Sequence, residues 1–527
     1  MYYRSTRNRN IEISAAQAIA RGLSGDGGLF VPERFPRVSL DAVSAMEKAS
    51  YVQRAAYIMS LFLTDFSHDE VKECVSGAYT QKKFPGKSPA PLSRLGSSVY
   101  FLELWHGPTC AFKDMALQIL PRFLTKSLKK ISSGREALIL TATSGDTGKA
   151  ALEGFRDVPG THIMVFYPCD GVSEMQKRQM CTQEGGNLAV CAVKGNFDDT
   201  QTGVKHIFNA PEAVKAVYEN GMMFSSANSI NWGRLLPQIV YYFSAYCDIA
   251  ASGGVKAGEP VNIAVPTGNF GDILAAYYAK KMGLPVKKLI CASNSNNVLT
   301  DFLKTGIYDR NRQFYETISP SMDILVSSNL ERLLFDLTDG DDRKVSSWMR
   351  GLSRTGSYDA SKYLDRVKEL FWGAYCDDAE TKQEIRRVYE KYHYLCDTHT
   401  AVASAVYGKY AAETGDSATP AIVVSTANPY KFPSDVLDAV TGGRHAAVSG
   451  FEAVRVLSEM TGTPVPEPIA ELEDKPVRFG TVWGKQADGR FQRLGKLRCP
   501  PQKKLDGSRQ GHRHGCHCRR RVMGDEA

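Results

Sequence analysis

No stretch of about 18 consecutive apolar residues occurs in the chain, which excludes a helix threaded through a bilayer. The start has no apolar h-region, and Glu12 interrupts the basic opening Arg4, Arg7, Arg9, so a cytoplasmic protein is expected. The twelve cysteines are scattered. Cys169, Cys191, Cys247 and Cys291 lie in apolar runs, where a reduced core thiol is the default and no disulfide framework is indicated. There is no internal repeat, no Gly-Lys-Ser/Thr phosphate-loop ending and no dinucleotide fingerprint. Acidic residues are scarce only at the end. From Phe491 to Ala527 ten Lys/Arg face three Asp/Glu, which supplies +7 of the chain's formal +8. That tail is poor in apolar residues and shows no helical or strand period, so disorder is expected, and its composition also fits a shifted reading frame. His512, His514, Cys516, His517 and Cys518 have no usual finger spacing, so no metal site is expected.

What remains is an ordinary enzyme-like composition, 43% hydrophobic and 23% charged over 527 residues, enough for two or three domains. Its most informative stretch is His106-Gly107-Pro108-Thr109-Cys110-Ala111-Phe112-Lys113-Asp114. Val99 to Leu104 reads as a short buried strand, Gly107-Pro108 as a turn, and Met115, Leu117, Ile119 and Leu120 as the apolar face of a helix. Lys113 therefore stands near the carboxyl end of a strand, where ligand sites gather in open α/β sheets. A lysine there, desolvated by Cys110, Ala111 and Phe112, can be neutral enough to attack a carbonyl.

Two more loops repeat the strand-glycine-helix grammar. Ala137 to Thr143 feeds Ser144-Gly145-Asp146-Thr147-Gly148, whose backbone N–H groups and hydroxyls can hold a carboxylate at a helix start. An ordinary turn and N-cap would be written with the same residues. Val261 to Pro266 feeds Thr267-Gly268-Asn269-Phe270-Gly271-Asp272, where glycines let backbone approach a phosphate. A reactive lysine, an anion loop and a phosphate cradle on one framework suit pyridoxal 5′-phosphate, an aldehyde that carries its own phosphate.

The ordered motifs HGPTCAFKD, TSGDTGKAA, ANSINWGR, PTGNFGD and STANPYKFP resemble threonine synthase of the longer, fungal and enterobacterial type. The resemblance runs from about residue 1 to about residue 485 and takes in the opening Tyr2 to Arg7 and the segment Gly22 to Pro32. It implies an α/β protein of pyridoxal-phosphate fold type II, like the tryptophan synthase β subunit, with parallel sheets and helices on both faces. It also implies that Lys113 is the cofactor lysine and the shuttle for the substrate Cα proton. Gly268, Asn269, Phe270, Gly271 and Asp272 would cradle the cofactor phosphate, and Thr426 would face the pyridine nitrogen. Ser144, Gly145, Asp146 and Thr147 match the clamp on the substrate carboxylate. Asn231 and Arg234, opening a long apolar helix, and Lys431 match the substrate side, with the two cations suited to its phosphate. For Arg234, Lys431 and Lys149 the plain reading, a helix cation or a salt bridge, stands as the lesser alternative.

The activity implied is conversion of O-phospho-L-homoserine and water to L-threonine and phosphate. A threonine synthase-like phospholyase, giving a keto acid, phosphate and ammonia, is the alternative. A cofactor-free protein whose basic tail binds RNA or acidic partners would be supported by a lost lysine or a broken cradle, and neither is seen. The expected partners are a small-molecule substrate and at most a second copy of the chain, as monomer or homodimer, with no nucleic acid and no membrane. The expected organisation is a mostly helical N-terminal region over 1–90, with helices around Ala15–Arg21 and Tyr51–Thr64, and a catalytic core over 91–440. A charged helical insertion is expected over about 300–395, then a C-terminal segment over 441–490 and the tail over 491–527. The basic ending departs from the family's short amphipathic one. His399, in Asp397-Thr398-His399-Thr400, reads as a polar residue at a helix start.

Overall fold

Strands that are apolar throughout need cover on both faces, and the sequence meets that need by placing a helix after nearly every strand. The computed structural model describes residues 1–195 and 197–484. Val261–Pro266 is buried at all six positions and forms part of a six-stranded sheet. The order is Phe371–Tyr375, Val286–Ser293, Val261–Pro266, Ala421–Ser425, Val99–Glu103, Leu92–Leu95. All neighbours are parallel except the last pair, which is antiparallel. The second sheet is wholly parallel, in the order Val482–Trp483, Leu188–Val193, Thr161–Pro168, Glu136–Ala142, Met222–Ser225. These are the doubly covered parallel sheets that the resemblance implied.

The helix Trp232–Ala251 runs through the core, and its apolar residues are buried on all sides except at its C-terminal end. The N-terminal region packs against it. Arg54 of Tyr51–Ser60 is buried, and its guanidinium pairs with Asp248 at 2.6 Å and donates to the Ser244 hydroxyl at 2.9 Å.

Three features differ from the expected organisation. Tyr3–Ser5, Asn8–Ile13 and Phe30–Pro32 form a small antiparallel sheet inside the region expected to be mostly helical. They are short strands joined by long-range pairing, and Arg7 fastens them to Glu331 with two hydrogen bonds of 2.9 and 2.8 Å. Second, the segment 300–395 is more than a helical insertion, since its strand Phe371–Tyr375 completes the large sheet beside Val286–Ser293. Third, the helix after Ser144 begins at Asp146, inside the stretch Ser144 to Gly148 expected to be loop. The tail and its His/Cys cluster lie outside the described residues. Among the described residues no helix is long and apolar enough to cross a membrane, and nine cysteines are free.

Candidate active site

A cavity of about 470 Å³ opens at the carboxyl ends of both sheets, within the range typical of small-molecule sites. Lys113 enters it because the turn before it is locked from within. Asp114 accepts from the Thr109 N–H and hydroxyl, both at 2.8 Å. Gly107 leaves the room, since a Cβ there would lie 2.5 Å from the Asp114 side chain. The same loop is strapped to the strand end at Ser425. Phe112 N–H donates to Thr426 O at 2.8 Å and Asn428 N–H to Cys110 O at 3.0 Å. Cys110 pays for this path with a left-handed φ of 58°.

Lys113 is 8% exposed. Burial pushes its amine down to about 8, against the opposing pull of Asp146. Asp146 Oδ2 lies 3.5 Å from Lys113 Nζ, and Asp146 Oδ1 lies 3.0 Å from Lys431 Nζ. Burial alone would raise the Asp146 carboxyl, but Lys431 and then Lys113 hold it well below the usual carboxylate range.

The loop Gly268 to Asp272 lines the cavity throughout. The helix Gly271–Met282 starts from Phe270, whose φ of 62° is left-handed. Ser327 donates to Gly268 O at 2.8 Å, and the Asn329 N–H and amide donate to Asn269 O at 3.1 and 3.0 Å. The N–H groups of Gly268, Asn269, Phe270 and Gly271 donate to no described residue. A Cβ on Gly268 would lie 2.9 Å from Ser321 O, so only glycine fits that wall. A ring of free N–H groups at a helix start fits a phosphate. Asp272 turns its carboxylate away, accepting from Tyr241 and Tyr242 at 2.5 Å each, and burial raises its carboxyl to about 6 against those two hydrogen bonds.

Ser144 and Thr147 line the opposite wall, whereas Gly145 and Asp146 stand behind it. Thr143 Oγ1 accepts from Gly145 N–H at 3.0 Å and Gly148 N–H at 2.8 Å. The N–H groups of Ser144, Asp146 and Thr147 donate to no described residue. Arg234 also lines the cavity; it donates to Ala227 O at 2.9 Å and reaches Thr147 Oγ1 at 3.5 Å. Burial lowers its guanidinium to about 10. Thr426 lines the cavity, and its hydroxyl bonds to no described residue.

Two expected substrate residues are kept out. Asn231 is fully buried as the N-cap of Trp232–Ala251; it accepts from Gly233 N–H at 2.9 Å and donates to Ile19 O and Ser226 O at 3.0 and 2.9 Å. Lys431 is also fully buried, and its donors are taken by Asp146, by Thr109 O at 2.9 Å and by Gln179 at 2.7 Å. It is the counter-cation of Asp146 and has no donor left for a substrate phosphate. Lys149 is buried too, bonded to Gln183 and 3.9 Å from Glu153, away from this cavity. Conversely, Ser321 and His399 line the cavity without having been expected there. Ser321 comes from the segment 300–395, and its turn carries no motif. His399 carries a sequence signal, but a polar residue at a helix start explains it better than a functional role does.

Three family models match the chain in succession. They are described as threonine synthase N terminus over residues 2–79, pyridoxal-phosphate dependent enzyme over 84–426, and threonine synthase, C-terminal, over 400–488. Threonine synthase-like 1 of Homo sapiens is 40% identical over 436 residues, 81% of this chain and 58% of that protein, so the chain spans under two thirds of this relative's length. Threonine synthase of Saccharomyces cerevisiae is 36% identical over 466 residues, 84% of this chain and 89% of that protein. The crystal structure of pyridoxal-phosphate-bound threonine synthase from Brucella melitensis superposes with a TM-score of 0.82 at 35% identity, covering 94% of this chain and 99% of that one.

Proposed function

The chain belongs to the threonine synthase family of pyridoxal-phosphate-dependent enzymes, and from that premise we propose that it converts O-phospho-L-homoserine and water to L-threonine and phosphate. The observation that carries the reading is a buried lysine between two helix starts that each present several N–H groups donating to no described residue, with a guanidinium beside the second.

When bound, pyridoxal phosphate supplies an aldehyde for an amine and a ring that delocalises electrons from the substrate Cα. Lys113 is the amine for that aldehyde, and with its amine near 8 a usable fraction is neutral at physiological pH. The N–H groups of Gly268 to Gly271 would hold the cofactor phosphate, with Asp272 withdrawn so that no carboxylate competes. Thr426 would offer the ring nitrogen an uncharged hydroxyl. The N–H groups and hydroxyls of Ser144 and Thr147 hold the substrate carboxylate, and the Arg234 fork holds its phosphate. Lys113 takes the Cα proton and later returns it, and Asp146 keeps the lysine aimed and charged between transfers. Asp146, Gly145, Lys431 and Asn231 support this arrangement from behind. A small-molecule substrate, a monomer or homodimer and a cytoplasmic setting complete the proposal; the free thiols suit a reducing compartment.

The test is to load the purified chain with pyridoxal phosphate, add O-phospho-L-homoserine and quantify threonine and phosphate together, beside Lys113→Ala. Equimolar products, lost in the variant by at least about 10³-fold, are expected. Phosphate with keto acid and no threonine moves the reading to a phospholyase, and no product at all overturns it.

A further inference from the structure

The turn Pro320–Met322 enters the cavity from outside the family's glycine loops, and Ser321 is its point of contact. The Ser321 hydroxyl accepts from Lys113 Nζ at 3.2 Å and donates to Asp146 Oδ2 at 3.4 Å, closing a triangle with the 3.5 Å ion pair. The Ser321 backbone N–H donates to His399 Nε2 at 3.1 Å. An amide N–H can only donate, so Nε2 carries no proton in this arrangement. The proton of the neutral ring is then on Nδ1, 2.9 Å from Asp397 Oδ1.

Asp397 is fully buried and cannot turn away. It also accepts from the His399 and Thr400 N–H groups at 2.9 and 3.3 Å and from the Thr400 hydroxyl. The imidazole packs on Phe432 with ring centroids 5.0 Å apart. On its other side the turn is wedged against the phosphate loop, because Ser321 O occupies the space that a side chain on Gly268 would need. The turn thus rests between a fixed acceptor and a fixed loop, with its hydroxyl on the lysine.

We propose that His399 is a positioning residue for Lys113: as the Nε2-accepting tautomer imposed by Asp397, it anchors the Pro320–Met322 turn and so fixes the Ser321 hydroxyl against the lysine amine. A lysine side chain has four rotatable bonds, and an amine that must attack and then shuttle a proton gains from a fixed direction. The inference rests on Lys113 being the reacting amine and is independent of which substrate is used. The charged groups that face Lys113 are Asp146, Arg234, Lys431 and Asp272, and Ser321 bonds to only the first of them.

The test uses the cofactor-free full chain. Limiting acetic anhydride is added over a pH series, and acetylation of Lys113 is read by peptide mass spectrometry against the exposed Lys72. Ser321→Ala and His399→Leu each remove the acceptor from the ammonium, so the midpoint of the Lys113 curve moves to lower pH by about 0.5–1 unit. The double variant moves it no further, and His399→Gln, whose amide oxygen can accept from the same N–H, keeps the wild-type midpoint. A wild-type midpoint in His399→Leu, or His399→Gln moving with it, overturns the proposal. Should His399→Leu fail to fold by circular dichroism, a wild-type midpoint in Ser321→Ala overturns it equally. If these shifts appear but O-phospho-L-homoserine yields no threonine, the substrate reading fails and the positioning role stands.

Discussion

The loops that end Val261–Pro266 and Glu136–Ala142 are written in the same strand-glycine-helix grammar, yet they are built differently. The Gly268 to Asp272 loop is a backbone device. Its carbonyls are braced by Ser327 and Asn329, its N–H groups are free, and its one charged side chain is drawn off by two tyrosines. The Ser144 to Thr147 loop is a side-chain device. Thr143 uses up the Gly145 N–H within it and the Gly148 N–H just beyond it, and Asp146 ties it by charge to both Lys113 and Lys431. The first loop suits a ligand that never changes, such as a resident cofactor's phosphate. The second feels the charge on Lys113, so a substrate anion held there is coupled to the state of the reacting amine.

The contrast breaks most severely at Lys431. Replacing it with Met leaves the buried Asp146 carboxylate with Lys113 as its one cation beside the neutral donors Gln176 and Ser321, and urea unfolding should show a loss of about 3–5 kcal/mol. Asn329→Ala, the bracing counterpart on the first loop, should cost no more than about 1–3 kcal/mol in the same measurement. Gly145→Ala comes next. Its φ of 126° strains a side chain, and the new Cβ would lie 2.3 Å from Gln176, the residue that donates to Asp146. About 1–3 kcal/mol of stability should be lost, with the Km for substrate rising.

Gly268→Ala sharpens the comparison from the other side. It should spare folding by comparison but weaken cofactor affinity about tenfold, or ~1.4 kcal/mol by fluorescence titration, since a Cβ meets Ser321 O. An unchanged affinity would mean that the phosphate lies elsewhere. The smallest effect is on the lysine itself. Burial lowers the Lys113 amine and Asp146 opposes it, so Asp146→Asn should lower it further. More of the amine is then neutral at pH 7, and Lys113 in the cofactor-free chain should acetylate faster than wild type there, whereas Asp272→Asn should change it less.

The parts of the molecule that were legible in the sequence are those decided within about ten residues. Val261–Pro266, its glycine loop and the following helix needed only an apolar run, two glycines and a helical period. The place of Lys113, buried at a cavity beyond a strand end, was legible for the same reason. What failed was decided across the fold. The N-terminal strands Tyr3–Ser5 and Phe30–Pro32 are too short to show a period, and Phe371–Tyr375 is a strand because Val286–Ser293 lies beside it. Lys431 in Pro-Tyr-Lys-Phe is locally the same whether it meets a substrate or Asp146, and only the folded neighbour distinguishes the two. Asn231 likewise reads as a site residue until its amide is seen capping a helix. Ser321 had no local signal at all, because its role depends on His399 and Lys113, both distant in the chain.

The central claim is that Lys113, of the three buried lysines among the described residues, is the amine that takes the cofactor. Borohydride reduction of the pyridoxal-phosphate-loaded chain, followed by peptide mass spectrometry, tests it most directly. The account predicts one reduced cofactor adduct on the peptide containing Lys113, absent in Lys113→Ala. An adduct on Lys149 or Lys431 instead, or one that survives in Lys113→Ala, would contradict it.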